Sequence, residues 1–196
     1  MRFLNELKTF LAPRIEPPAE PPAEPPDIGD PTPTADFADE DAAGVMVAFL
    51  RHCGCPFAEA TVHRAREIAA NHPELKVYLV SHASPETTRA WLAEIGGSGS
   101  AVLVMDESLK LYRAWGLGFS NAAHFLGARS LRSVLRLRKQ GIVNRNPGGY
   151  RRQTAGTFAV NAKGKIAWRH LPEHGGDLPD FAEALNSFVD NRESNA

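Results

Sequence analysis

Gly44-Val45-Met46-Val47-Ala48-Phe49-Leu50 is a continuous apolar run, followed at once by Arg51-His52-Cys53-Gly54-Cys55-Pro56. A short run without alternation is the pattern of a strand buried on both faces. Pro56 suits the first turn of a helix, and Ala58, Val62, Ala65, Ile68 and Ala69 recur at helical spacing until Asn71-His72-Pro73 ends it. Lys76–Ser81 reads as a second strand. Ser84-Pro85-Glu86 caps a second helix through Trp91, Leu92 and Ile95, and Ala101–Met105 is a third strand. This βαβαβ alternation implies a parallel core with right-handed crossovers, with the cysteines at its carboxyl edge.

A mostly helical excursion is expected over 121–140. Thr157–Asn161 and Lys165–Arg169 flank Ala162-Lys163-Gly164 as an antiparallel hairpin, and a last helix runs over 179–189 on Phe181, Leu185 and Phe188. Parallel strands, a closing hairpin and a terminal helix predict a thioredoxin-like α/β fold, a three-layer sandwich with a mixed sheet.

Three parts are expected. Residues 1–11 place Phe3, Leu4, Leu7, Phe10 and Leu11 on one face of a short amphipathic helix. Residues 12–42 are an acidic, proline-rich linker in which Pro17-Pro18-Ala19-Glu20-Pro21-Pro22-Ala23-Glu24-Pro25-Pro26 favours extended polyproline II, so a disordered spacer is expected. The folded body occupies 43–190.

Charge is unevenly placed. The 22 Lys and Arg nearly balance 23 Asp and Glu, yet Glu16, Glu20, Glu24, Asp27, Asp30, Asp36, Asp39, Glu40 and Asp41 crowd the linker, and no acid occurs from Ser108 to Pro172. The basic stretch Arg129–Arg152 therefore has three candidate partners: an anionic ligand, a membrane surface, or the acidic linker, which it would hold over the pocket as a salt-sensitive lid. A solvated helix face is the plain alternative. Nucleic acid is not expected, because no aromatic stacking platform accompanies the basic residues. No apolar run approaches the ~18 residues that span a bilayer, and polar residues interrupt Met1–Lys8 where a secretory segment would be continuous. A cytoplasmic, reducing compartment is the expectation, and a folded unit of about 150 residues buries enough apolar surface to need no disulfide framework, so the two cysteines are not structural staples.

A thiolate is the reactive form of cysteine, and a helix N-terminus stabilises it through free amides and the helix dipole. Cys55 is placed for that role, with the amides of Phe57 and Ala58 as donors because Pro56 has none. Arg51 and His52 add positive charge, and Cys53 is a candidate resolving thiol. The opposing reading makes both cysteines small buried apolar residues. A metal site is not expected: no second cysteine pair accompanies His52-Cys53-Gly54-Cys55.

The runs Phe49–Glu59, Leu111–Gly118 and Gln153–Asn161, with Gly164 and Trp168, resemble the peroxiredoxin-like 2 group of the alkyl hydroperoxide reductase/thiol-specific antioxidant (AhpC/TSA) superfamily. The resemblance implies a thioredoxin fold with a redox cysteine opening the first helix. Gly54-Cys55-Pro56-Phe57 matches the first half of the group's Gly-Cys-Pro-x-Cys motif, and Ala58 replaces its second cysteine. His52 and Ala48 stand where true peroxiredoxins hold threonine and proline. Implied are reduction of organic or lipid peroxides, or of disulfides, through Cys55, with Cys53 or an external thiol as partner. No bound cofactor is implied; thioredoxin or glutathione would be the reductant, and a homodimer is open to such a chain. Trp115, Phe119 and Thr157 are the expected pocket residues. The alternatives are a thioredoxin-fold binding or scaffold protein without redox turnover and a specialised biosynthetic enzyme on the same fold.

Overall fold

In the computed structural model, which describes residues 20–37, 39, 42–120, 124 and 127–193, β1 (Gly44–Phe49) is the middle strand of a five-stranded mixed sheet. It pairs in parallel with β2 (Leu75–Ser81), which pairs in parallel with β3 (Val102–Met105). On its other side it runs antiparallel to β4 (Gly156–Asn161), and β5 (Ile166–His170) closes that edge as the second arm of the hairpin. The strand order is β3-β2-β1-β4-β5.

Every β1 residue is buried, and alternation sends them to two different cores. Met46 and Ala48 pack with α1 (Pro56–Asn71), α2 (Pro85–Glu94), α4 (Ala128–Lys139) and α5 (Phe181–Glu193), through Val62 and Ala65, Trp91 and Leu92, Leu137, and Phe181 and Ala184. Val45, Val47 and Phe49 face a second core with Phe158, Val160 and Ile166. That core is covered by Leu109, α3 (Lys110–Ala114), Trp115, Leu117 and Phe37. The three-layer thioredoxin-like architecture is as expected from the alternation, with Ser84 capping α2 by accepting from the Thr87 amide at 3.2 Å.

Helix α3 has no counterpart in the sequence reading. Asp106 makes it possible: its buried carboxylate accepts from the amides of Lys110, Leu111 and Tyr112 at 3.0, 2.8 and 3.1 Å. Those amides have no acceptor inside so short a helix.

Residues 20–37 differ from the expected free spacer: they run along the body. The Ala23 amide donates to Arg113 O, Gly29 to Ile166 O and Thr32 to Gly164 O, while Ile166 donates to Asp30 O. The proline carbonyls, which polyproline II leaves without intrachain donors, accept from Arg169 at Pro25 (3.3 Å) and Pro26 (2.7 Å), and Arg169 also pairs with Asp27 at 2.5 Å. Gly116 and Gly118 pack against Pro25 and Pro22, and Phe37 enters the second core. The physical reason is that, among the described residues, the α-helix covering the second layer is the short α3, so a segment supplied by the N-terminal region completes its cover. The expected helix over 1–11 and the linker up to residue 19 lie outside the described residues.

The acidic segment also finds partners other than those the charge pattern suggested. Glu20 pairs with Arg113, Asp27 with Arg169 and Asp39 with Lys76. None of these is in Arg129–Arg152, so these pairs are not those of the lid that the basic stretch was expected to hold over the pocket.

Gly116 has φ +74°, and a Cβ there would meet the Pro25 backbone; Gly164, with φ +69°, faces open space. Alanine at Gly164 should therefore cost about 1 kcal/mol, the strain of a left-handed backbone alone. Alanine at Gly116 adds a collision with the strap and should cost about 2–4 kcal/mol. Denaturant unfolding of the two variants measures the difference.

Candidate active site

Because β1 ends at Phe49 and α1 begins at Pro56, the Cys53-Gly54-Cys55 turn is held at the carboxyl edge of the parallel strands. The turn is closed by the Cys55 amide donating to His52 O at 3.2 Å. It is also clamped from outside by the chain before β4. The Cys53 amide donates to Gly148 O at 3.0 Å and Gly148 returns a bond to Cys53 O at 3.1 Å, while Arg145 N donates to Gly54 O at 2.9 Å. Gly54 has φ +80°, and its missing Cβ is what lets the carbonyls of Arg145 and Asn146 approach.

The clamp is fastened to α1 by a bidentate ion pair: Arg145 Nε and Nη2 each donate to a Glu59 carboxylate oxygen at 3.1 Å. The Glu59 side chain is only 3% exposed. A buried carboxylate in the first turn would otherwise oppose a thiolate at the same helix end, and Arg145 compensates it. Glu59 in turn raises the Arg145 pKa.

The two cysteines are free thiols in different surroundings. Cys55 is the N-cap of α1, with extended backbone, Pro56 next to it and no side-chain cap bond. Cys53 points toward β2 and α2, with its sulfur 3.8 Å from Ser81 Oγ and donating to Thr88 Oγ1 at 3.7 Å. Burial pushes the Cys53 thiol pKa up, against the opposing effect of those hydroxyls.

Arg51 is buried beside the turn, donating from Nη1 to Gly175 O at 3.5 Å and from Nη2 to Arg151 O at 3.4 Å, with its guanidinium 5.9 Å from the Phe57 ring centre. Arg51, Phe57, Ala58, Thr157, His124, His170 and Asp177 line a small cleft beside the turn, and neither cysteine is among its lining residues. His170 Nε2 lies 3.7 Å from Asp177 Oδ1. Burial, then the charges of Arg51 and His174, lower the His124 pKa.

The sequence-predicted residues thus separate. Arg51 and Thr157 face the cleft, and His52 is buried in the turn. Trp115 and Phe119 do not line it. Trp115 lies in the second core with its indole N–H on Thr34 Oγ1 at 3.3 Å, and Phe119 packs edge-on against Tyr150. Being near the carboxyl edge does not specify which face of the sheet a side chain serves, and both residues fall on the face away from α1. The sequence reading missed Glu59, Arg145, His82, His124, His170 and Asp177. His170 was within reach, since it is the register partner of Thr157 in the hairpin; the Glu59–Arg145 pair spans 86 positions and has no local signature.

His82 sits just past β2, its ring edge-on to Tyr112 and its Nδ1 accepting from the Tyr150 amide at 3.3 Å. Tyr112 in turn donates its hydroxyl proton to Leu50 O and Val80 O at 2.6 and 2.8 Å, tying the ends of β1 and β2 together. Burial, with a smaller contribution from the Arg51 charge, lowers the His82 pKa to about 4.

These features define a thioredoxin-fold protein with a cysteine at the start of its first helix, beside a cleft. The model of the AhpC/TSA antioxidant enzyme family matches residues 63–174, and the chain belongs to that family. The matched region begins inside α1, after both cysteines. Among solved structures the chain is similar to a peroxiredoxin-like protein from Aquifex aeolicus (15% identity, TM-score 0.61, covering 86% of this chain and 89% of that one). It is also similar to a cysteine-to-serine mutant of PrxQ from Xylella fastidiosa (12%, 0.56, 89% and 100%) and to a putative thiol:disulfide interchange protein DsbE from Chlorobium tepidum (14%, 0.52, 84% and 99%). No curated protein matches. Among the described residues there is no cluster of His, Cys, Asp and Glu fit to hold a metal ion, and no helix long and apolar enough to cross a membrane.

A histidine whose folded pKa is below its unfolded value binds more protons when unfolded, so acid favours unfolding. For His82 the penalty is absent above about pH 6.5 and accumulates as pH falls to about 4, reaching on the order of 3 kcal/mol. The His82→Phe variant should lose less stability than the parent between those pH values. Parallel unfolding curves for the two proteins would contradict the assignment.

Proposed function

We propose that the chain is a thiol oxidoreductase of a reducing, cytoplasmic compartment whose reacting sulfur is Cys55, and that its substrate is an organic hydroperoxide held in the adjoining cleft. The observation that carries this reading is the position of Cys55 at the N-cap of α1. There the amides of Phe57 and Ala58 have no intrahelical acceptor and the helix dipole favours an anion. Apolar Phe57, Ala58 and Leu178 suit a carbon chain, and Arg51 and Thr157 add polar groups to the same lining.

In the first step the Cys55 thiolate attacks the terminal peroxide oxygen. A sulfur–oxygen bond forms, the O–O bond breaks, and the departing alkoxide takes a proton to leave as an alcohol. Cys55 is then a sulfenic acid, oxidised by two electrons. An external thiol condenses with it, forming a mixed disulfide and releasing water; a second thiol attacks that disulfide, restoring Cys55 and carrying away the oxidised reductant. Glutathione or a thioredoxin-type dithiol fits this role. Cys53 is assigned a packing and positioning role here, because its sulfur is engaged by Ser81 and Thr88 and burial holds it protonated.

One observation favours a second reading, a binding protein without turnover: both cysteines are buried, Cys53 at 1% and Cys55 at 2% exposure. Catalysis therefore requires the Cys53–Pro56 turn to open from its clamp.

Turnover of an organic hydroperoxide coupled to a thiol reductant separates the two readings. Cys55→Ser should lower kcat/KM by at least about 100-fold, whereas Cys53→Ser should stay within about tenfold of the parent. No turnover by the parent protein supports the binding reading, and full turnover by Cys55→Ser contradicts the assignment of the reacting sulfur.

A further inference from the structure

Helix α4 presents a surface that the thiol reading does not use. Ser130, Ser133 and Leu137 are buried and Val134 packs against the core. At 100° per residue these four define one side of the helix and send Leu131, Leu135 and Lys139 to the other. Leu131 and Leu135 are 53% and 54% exposed, one turn apart. Around them Arg132, Arg136, Arg138 and Lys139 are all exposed, and none of the four is ion-paired among the described residues.

A solvated face accounts for the cations but not for the two leucines standing out among them. Of the chain's described acids, Glu173 reaches this helix only at its first turn, 3.8 Å from Arg129, and those of the N-terminal segment pair with Lys76, Arg113 and Arg169. A nucleic acid would use the guanidinium groups and leave the leucines idle, and residues 128–149 contain no aromatic side chain on which a base would stack. An anionic lipid surface uses both features. Apolar side chains enter the boundary between head groups and acyl chains, while long basic side chains reach out to phosphate and carboxylate groups.

We propose that α4 is a docking face for an anionic membrane surface, with Leu131 and Leu135 inserted at the lipid boundary and Arg132, Arg136, Arg138 and Lys139 holding the head groups. The helix has 12 residues, about 18 Å, so it lies in the membrane plane and does not cross it. The body stays on the aqueous side, attached through Val134 and Leu137. This inference rests on the surface alone and stands independently of the thiol chemistry.

The test is co-sedimentation of the full chain with phosphatidylcholine vesicles prepared with and without phosphatidylserine. Expected are binding that requires phosphatidylserine and weakens as salt is raised. The double variant Leu131→Ser/Leu135→Ser should bind at least about tenfold more weakly with an unchanged circular dichroism spectrum, since both side chains are largely outside the core. Arg132→Glu/Arg136→Glu should abolish binding. The proposal is overturned if the parent protein ignores phosphatidylserine vesicles, if the serine double variant binds them as tightly as the parent, or if the parent ignores them while binding a DNA duplex.

Discussion

Strand β1 has no solvent-facing side: Met46 and Ala48 are sealed by the helical layer, and Val45, Val47 and Phe49 by the opposite one. Hydrogen bonds to β2 on one edge and β4 on the other leave the strand no freedom to shift register, because a one-residue slip would exchange its two core faces. Whatever follows Phe49 is therefore delivered to a fixed point at the sheet's carboxyl edge. The cysteine turn, the start of α1 and the mouth of the cleft all depend on that fixed point.

Two devices refine it. Tyr112, fully buried, bonds the carbonyls of Leu50 and Val80 and so ties the ends of β1 and β2. From the other side the 145–148 segment pairs with Cys53 and Gly54, and Arg145 reaches past the turn to Glu59. The same clamp that orders the turn also closes it, so access to the sulfurs is coupled to movement of a segment whose anchor is one buried ion pair. Removing Arg145 would leave the buried Glu59 carboxylate without its partner, which explains why this contact holds the turn more firmly than the exposed pairs on the N-terminal segment do.

Much of this was legible in the sequence because local periodicity carried it. The Gly44–Leu50 run, the helical spacing after Pro56 and the Ala162-Lys163-Gly164 turn each specify an element without help from distant residues, and together they gave the βαβαβ core and hairpin. The contacts that were not legible join residues far apart. Proline repeats read as a spacer because their composition favours an extended, solvated backbone; nothing local announces that Arg169 will bond the carbonyls of Pro25 and Pro26, or that Gly116 and Gly118 will make room for the chain. Trp115 was expected in the pocket on the family resemblance, but which face it occupies depends on the path from β3 through the Asp106 cap. Cys53 and Cys55 look interchangeable as letters. Their difference arises from Ser81 and Thr88, which the fold brings to one sulfur only.

That difference is the centre of the account, and mapping the oxidised sulfur tests it directly. The reduced protein is treated with one equivalent of an organic hydroperoxide, trapped with a sulfenic-acid reagent and an alkylating agent, and digested for mass spectrometry. Modification by the sulfenic-acid reagent at Cys55, with Cys53 recovered as the alkylated thiol, is the predicted result. A sulfenic acid on Cys53, or two unoxidised thiols, would contradict the claim that the start of α1 holds the reacting sulfur.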